Sequence, residues 1–358
     1  MLPMLFGSLA LGLPMASDVQ TNQGWSSLDA ELTGLSAALQ DPASALRWDG
    51  YLRAFIAQDS DSPALAGQPN TDALGTALDR ARLGLSSDVG EYSFRVQFEA
   101  AGGSARLLDA YAAWECSPNL RTTMGRFQTP LYWNGLVDPR HQLFVLRTSS
   151  DEFWIGGRPV QFDDNVGVMV DGSFQRLHWW LSAQNGVDGT ADELALTGRL
   201  RYDVLGQGVG MVEGAYGAPE DAALSVGVGW YDDGGAVDGG GNSADGDVLA
   251  FDAQYANGSW AMNAELLDYS KGSVNVFDVP DSTPWAVAVS YMFQPNTWEV
   301  AARYEDADTA TNLGAITLGV NYYVSGHDVK WQFNVIDTTS DNDIEETTAL
   351  ALALTIGK

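Results

Sequence analysis

The sequence contains little cysteine, lysine or histidine, and each shortage argues against a class of protein. Cys116 is the sole cysteine among 358 residues, so an intramolecular disulfide is excluded, although a reduced cytosolic protein stays open on that fact alone. Three lysines and a net charge of −29 argue against nucleic acid as a partner, because phosphate backbones are bound by clustered basic residues. The three histidines, His141, His178 and His327, lack the spacing of metal ligands, so we expect no metal or cofactor.

Long apolar runs and catalytic motifs are also missing. After residue 16 there is no stretch of about 20 apolar residues, so a helical membrane protein is not indicated. The mean hydropathy of −0.11 suits transmembrane strands, which alternate lipid-facing and water-facing residues. No G-x-S-x-G, H-E-x-x-H or P-loop motif occurs, and the sequence does not predict an enzyme.

The N-terminal segment has the character of an export signal. Residues 1–16 form a short apolar run that ends in small residues, which predicts a signal peptide. The basic residues that usually precede such a run are missing, so either the start lies upstream or the signal is atypical. Residues 17–45 are expected to be periplasmic. Leucines spaced four, three and four residues apart over 26–39 predict a short helix there, which either packs on the rest of the chain or lies at a contact between copies of the chain.

From about residue 46 the chain alternates with a period of two, as β-strands do. One face of these segments is apolar and ends in aromatic residues, whereas the other face carries charges and amides. Lipid-facing strands of a membrane barrel have this pattern. The clearest segments are 91–99, 259–266, 285–293, 297–305, 329–335 and 349–356.

The connections between these segments alternate between short turns and long loops, which is typical of outer-membrane barrels. Residues 204–221 break this rhythm, either as an additional hairpin or as one long periplasmic connection. Because single-chain bacterial barrels have even strand counts, we choose the second. The prediction is an all-β, antiparallel up-and-down transmembrane barrel of about 16 strands over residues 46–358. A barrel of this size encloses water.

Two motifs resemble the phosphate-selective porin O and P family of bacterial outer-membrane porins. Residues 109–111 read D-A-Y, and residues 125–130 read G-R-F-Q-T-P before a long loop. Near the C-terminus, residues 318–335 are similar to the strand–turn–strand of that family. The resemblance implies a 16-stranded, trimeric channel whose third loop folds into the lumen. It also implies the passage of anions such as phosphate.

The long segment 128–161 is the candidate constriction of the pore, because long structureless loops are usually functional. A pore selects by width and by the charge at its narrowest point. The alternative is an extracellular loop folded over the mouth, with its arginines paired to its acids. The candidate constriction residues are Arg140, Arg147, Arg158, Asp138, Asp151 and Glu152.

The strand pattern also assigns charged residues to the lumen. A one-residue slip in register would invert each assignment. Basic and acidic strips that face each other would produce a transverse field, whereas the simpler interpretation is that these residues solvate a wet lumen. The candidate lumen residues are Arg80, Arg82, Arg95, Arg121, Arg199, Arg201, Arg303, Lys330, Glu99, Asp109, Glu265 and Glu299.

Together these features predict an outer-membrane porin that passes small hydrophilic solutes, including anions, down their gradients. The expected partners are outer-membrane lipid, those solutes and two further copies of the chain in a homotrimer. Two alternatives stay open at this point. One is a soluble secreted β-sandwich that binds ligands or carbohydrate through its tryptophans, and the other is a barrel enzyme with a catalytic dyad at the rim.

Overall fold

In the computed structural model the chain forms a closed antiparallel barrel of 16 strands. The structure describes residues 46–62, 71–148, 150, 164–186, 194–233, 246–270, 282–309, 311–341 and 346–358. The predicted signal peptide and the helix over 26–39 lie outside the described residues. The strand count and the fold class confirm the predictions from the sequence, and the closed barrel excludes the β-sandwich.

The strands follow one another around the barrel in chain order. They are β1 (Arg47–Ser62), β2 (Thr71–Val89), β3 (Tyr92–Glu99), β4 (Arg106–Ser117), β5 (Leu120–Gln128), β6 (Asp164–Phe174), β7 (Leu177–Asn185), β8 (Leu194–Leu205), β9 (Ala223–Asp233), β10 (Gly246–Asn257), β11 (Trp260–Ser270), β12 (Trp285–Gln294), β13 (Trp298–Asp306), β14 (Gly314–Ser325), β15 (Val329–Thr339) and β16 (Thr347–Gly357). A one-turn helix, α1 (Trp133–Leu136), and a 3-10 turn, Pro139–His141, lie between β5 and β6.

The barrel closes because β1 pairs with β16, from Tyr51 opposite Gly357 to Ser60 opposite Thr348. Every strand therefore has a neighbour on each side, and no open sheet edge faces hydrocarbon. The segment that breaks the sequence rhythm is a single connection, residues 206–222, between β8 and β9. This arrangement agrees with the predicted choice of one long connection over an extra hairpin.

The two faces of the wall have opposite chemistry. On β16 the side chains of Leu350, Leu352 and Ile356 are 39–51% exposed, whereas Ala351 and Ala353 on the inner face are at most 2% exposed. Burial alternates in the same way along β11, β13 and β15. The apolar face points outward and the polar face inward, so the faces predicted from the period of two are confirmed.

Aromatic pairs mark both ends of the outer face. Trp260 and Tyr291 lie at the end that carries the short turns, with ring centroids 4.6 Å apart. Trp285 and Tyr304 pair at the other end, 5.4 Å apart. In barrels of this kind the short turns are periplasmic and the long loops extracellular, which orients the molecule. Within the described part of the chain, no helix is long and apolar enough to cross a membrane.

Candidate functional site

The connection after β5, called loop 3 here and described over residues 129–148 and 150, enters the barrel instead of covering its mouth. Leu131, Tyr132 and Trp133 are at most 2% exposed. Asp138 caps the following 3-10 turn, since its carboxylate accepts a hydrogen bond from the Arg140 backbone N–H at 2.8 Å. Proline at position 139 suits the first position of that turn, because its missing N–H is not needed there.

Loop 3 makes its first contact on strands β8 to β10. Arg199 donates to the backbone oxygen of Leu131 at 2.9 Å and forms a bidentate ion pair with Asp252, at 2.6 and 3.0 Å. The Trp133 backbone N–H donates to the same carboxylate at 3.2 Å. A side chain at Gly229 would place its Cβ 1.9 Å from the Leu131 oxygen, so only glycine allows this approach.

The second contact lies on the opposite wall, on β1 and β2. Arg82 pairs with Asp138 at 3.2 Å, and Arg53 donates to the backbone oxygen of Pro139 at 3.1 Å. Asp79 sits at a bulge in the β1–β2 pairing and forms an ion pair with the nearly buried Arg53. The extra residue of a bulge redirects a side chain, and here it brings a carboxylate to this arginine.

The third contact is a series of hydrogen bonds along β13 to β15. Lys330 donates to the Gln142 oxygen at 2.6 Å, and Asn321 donates to the Leu143 oxygen at 3.0 Å. Asn334 accepts from the Val145 N–H at 2.7 Å. Buried backbone groups need such partners, so the inner-face amides and the lysine act as replacements for water.

Loop 3 consequently divides the lumen into two parts. Inward side chains on the wall beneath the loop are buried; Lys330 and Glu299 are 0% exposed, and Arg303 is 6% exposed. Charged inward side chains of β2 to β7 keep contact with solvent; those of Arg95 and Arg121 are 25% and 33% exposed. We call the space beside β2 to β7 the open passage.

Ion pairs line the open passage. Arg95 pairs with Asp49 at 3.0 Å and with Asp109 at 3.3 Å. Arg82 pairs with Glu99 at 3.1 Å in addition to its contact with loop 3. The charges therefore alternate as close neighbours rather than facing each other as two strips of unlike sign.

The candidate lumen residues all lie on the inner face, but they divide into two environments. Those whose side chains keep contact with solvent are Arg80, Arg82, Arg95, Arg121, Glu99 and Asp109 beside the open passage, and Arg201 on β8. Those that are buried are Arg199, Arg303, Lys330, Glu265 and Glu299. The sequence pattern identifies the face of a strand, but it contains no information about what covers that face.

The candidate constriction residues also separate. Asp138 and Arg140 border the lumen, and Arg140 lies 3.7 Å from Asp328 of the β14–β15 turn. Arg147 is 8% exposed and donates to the backbone oxygens of Asn134 and Val137 within its own loop. The predictions for Arg158, Asp151 and Glu152 fall outside the described residues.

Charged groups of loop 3 have pKa values set by their surroundings. Burial alone would raise the pKa of Asp138, but the Arg82 guanidinium, the Arg140 N–H and His141 outweigh it and hold the pKa below its usual range. Burial lowers the pKa of His141, and the positive charge of Arg140 adds to this effect. At neutral pH the loop therefore presents an anionic aspartate and an uncharged histidine.

Sequence reasoning missed the contribution of Asp49, Asp79 and residues 206–222. Asp49 stands at a position whose side chain points into the lumen under the period of two, so the pattern could have identified it. The bulge at Asp79 interrupts the alternation of inward and outward side chains along β2, and a periodic pattern in the sequence does not reveal such an interruption. Within 206–222, Glu213 is 8% exposed and accepts from the backbone N–H of Leu143 in loop 3 at 2.8 Å, a long-range contact without a local signature.

Comparisons with known proteins agree with this architecture. Residues 232–355 match the model of the family described as phosphate-selective porin O and P. No curated protein matches the chain. An anion-selective porin from Comamonas acidovorans superposes with a TM-score of 0.61 at 14% identity, covering 88% of this chain and 100% of that one.

Two further solved structures have the same fold. OmpF of Salmonella typhi, in a complex with daunomycin, gives a TM-score of 0.60 at 12% identity over 88% of this chain and 98% of that one. The outer membrane channel DcaP of Acinetobacter baumannii gives 0.56 at 14% identity over 89% and 99%. Identities this low establish the fold and nothing finer. The family match includes the strand–turn–strand at residues 318–335, and with the 16-strand barrel it confirms the predicted resemblance over that part of the chain: the protein is an outer-membrane porin whose residues 232–355 are similar to the phosphate-selective porin O and P family.

Proposed function

We propose that this porin is a passive channel for small hydrophilic solutes, and that they cross the outer membrane through the open passage beside β2 to β7. The observation that carries the proposal is the contrast in burial between this passage and the covered wall. Charged groups that keep contact with water allow polar solutes to exchange their hydration shells. Diffusion down a gradient requires no cofactor and no chemical step, so we propose no enzymatic activity.

Anions such as phosphate are among the proposed solutes, with weak selectivity. Arginine is permanently charged and binds phosphate through a planar fork, so the arginines of the open passage attract anions. Each of Arg82, Arg95 and Arg121 also has a carboxylate within 3.5 Å. The neighbouring acids offset most of the attraction, because the field of a close pair falls off faster than that of a single charge.

A homotrimer in outer-membrane lipid is the proposed assembly. The apolar outer face and its aromatic ends suit lipid. The in-vitro folded outer membrane protein OmpT of Vibrio cholerae, whose structure is described as a trimer form, has the same fold, with a TM-score of 0.55 at 14% identity over 88% of this chain and 100% of that one. Light scattering of the detergent-solubilised protein measures the state directly, and a mass of one protomer contradicts the trimer.

Planar-bilayer recording tests the channel. The purified, folded barrel should insert in steps of uniform conductance, and a KCl gradient should give a reversal potential close to zero with a small anion preference. A barrel that is folded but passes no current contradicts the proposed function. A strongly cation-selective reversal potential contradicts the anion preference alone.

A further inference from the structure

The connection between β8 and β9, residues 206–222, lies at the periplasmic end, where the neighbouring connections are tight turns such as Gly258–Ser259. It also enters the lumen. Val209 and Ala215 are 7% and 1% exposed, and Arg201 donates to the Val209 oxygen at 2.6 Å. Long connections that carry no secondary structure of their own usually serve a function.

This connection contacts loop 3 through three hydrogen bonds. The Leu143 N–H donates to the Glu213 carboxylate at 2.8 Å, and the Glu213 N–H donates to the His141 oxygen at 3.1 Å. The Trp133 indole N–H donates to the Gly210 oxygen at 3.1 Å. The bonds of Glu213 fall on either side of Gln142, so they fix both the position and the direction of the loop backbone.

The same connection is attached to the barrel wall. The Ala215 N–H donates to the Glu299 carboxylate at 2.6 Å, and this carboxylate also accepts from the Tyr323 hydroxyl at 2.5 Å. A Cβ at Gly214, where φ is +86°, would lie 2.8 Å from the Glu299 carboxylate and 2.9 Å from the Leu143 side chain. Loop 3, the connection and the wall therefore meet with no space for a larger residue.

We infer that residues 206–222 are a latch that holds loop 3 against β13 to β15 from the periplasmic side, with Glu213 as its positioning residue. Loop 3 enters from the extracellular end and the latch from the other end, so the width of the open passage depends on both. The inference rests on the proposed channel function for its effect on conductance, whereas the contact itself does not depend on that function.

Three variants isolate the hydrogen bond of Glu213. Glu213→Met removes the acceptor, Glu213→Gln keeps an oxygen that accepts from the Leu143 N–H, and Glu220→Gln makes the same charge change at an exposed site of the same connection. We expect Glu213→Met to raise the fraction of time in enlarged or noisy conductance states by about tenfold or more, because it leaves the buried Leu143 N–H without its acceptor. Glu213→Gln and Glu220→Gln should resemble the wild type.

Hydrogen exchange supplies a readout that does not require conduction. Backbone amides over residues 140–148 should exchange about tenfold or more faster in Glu213→Met, but not in Glu213→Gln. If the wild type conducts nothing and this difference still appears, the channel proposal is wrong and the latch stands. Unchanged exchange and unchanged conductance in Glu213→Met overturn the latch.

A second contact keeps the test decisive if Glu213→Met does not fold. Trp133→Phe keeps an aromatic ring and removes the N–H that donates to Gly210. We expect faster exchange and more frequent enlarged states in the same direction, with a smaller change than that of Glu213→Met. Wild-type behaviour of a folded Trp133→Phe barrel, together with no folded Glu213→Met, overturns the latch.

Discussion

The two sides of the lumen are built from the same kind of strand but perform different tasks. Beside β2 to β7, arginines and carboxylates pair in contact with water, as Arg95 does with Asp109. Beside β8 to β16, similar residues are buried beneath loop 3, as Arg199 and Asp252 are. The difference shows that an inward-facing charge in a barrel either lines the pore or anchors what narrows it. Burial, not the type of residue, distinguishes the two roles.

Removing loop 3 should have the largest effect, because it would abolish the difference between the open passage and the covered wall. Replacing residues 131–147 by a short Gly-Ser linker exposes the covered wall to water, so we expect the single-channel conductance to rise several-fold. The strands keep their pairing partners, because loop 3 contributes none of the barrel ladder. Planar-bilayer recording measures the change. A folded variant with wild-type conductance would show that the covered side is not what limits the current.

The next largest effect concerns stability. Asp252→Asn leaves the buried Arg199 without its charge partner, and breaking a buried ion pair in this way costs about 3–5 kcal/mol. Asp109→Asn, in the open passage, should cost about 1 kcal/mol or less, because solvent screens the pair with Arg95. Heat-modifiability on gels ranks the two variants. Equal losses would contradict the division of the lumen.

For ion selectivity, we expect substitutions in the open passage to matter more than those beneath loop 3. The double variant Arg82→Gln with Arg95→Gln leaves carboxylates in the open passage without their arginines, so the reversal potential should shift toward cations. Arg126→Gln is the matched control, because Arg126 lies on the same outer face of β5 as the exposed Met124. An equally large shift of the reversal potential in Arg126→Gln would show that the arginines of the open passage do not determine the selectivity.

A smaller effect should come from the close approach at Gly229. The Cβ of Gly229→Ala would meet the Leu131 oxygen at 1.9 Å, so loop 3 must move, at a cost of about 1–3 kcal/mol. Gly198→Ala on the outer face adds a methyl group at an ordinary 3.6 Å from the Leu181 side chain. Thermal unfolding compares the two variants, and we expect only Gly229→Ala to be destabilised. The same melting temperature for both would argue against a tight contact there.

The smallest expected effect is a dependence on pH. Burial lowers the pKa of His141 and lowers that of His327 to about 2, and the rings of these two residues lie 5.0 Å apart. The unfolded chain takes up protons near pH 6.5, so below that pH the native barrel binds fewer protons than the unfolded one. Stability should therefore decrease as the pH falls from about 6.5 toward 4.

Substitution of both histidines identifies the source of this dependence. Positive charges on Arg140 and Lys330 reinforce the effect, whereas Asp138 and Asp328 oppose it at His141. The double variant His141→Gln with His327→Gln should show a flatter decrease than the wild type in thermal unfolding between pH 7.5 and 4.5. Parallel curves would assign the pH dependence to other groups.

The period of two predicted the faces of the strands, because a lipid-facing wall imposes it on every strand independently. The same pattern could not separate Arg95 from Arg303, since both have the correct parity and only the path of loop 3 decides which is covered. The role of Glu213 was equally invisible, because its partner Leu143 lies 70 residues away in the chain. Sequence periodicity encodes the wall of the barrel, and long-range hydrogen bonds build its interior.

The position of its anchors in the chain determines when loop 3 can reach its final place. Loop 3 is held by Lys330, Asn321 and Asn334, which follow it in the chain by 178 to 189 residues. These anchors exist only after β14 and β15 have been made. During assembly the loop is therefore complete long before its binding surface, and the filter of this channel is among the last features to form.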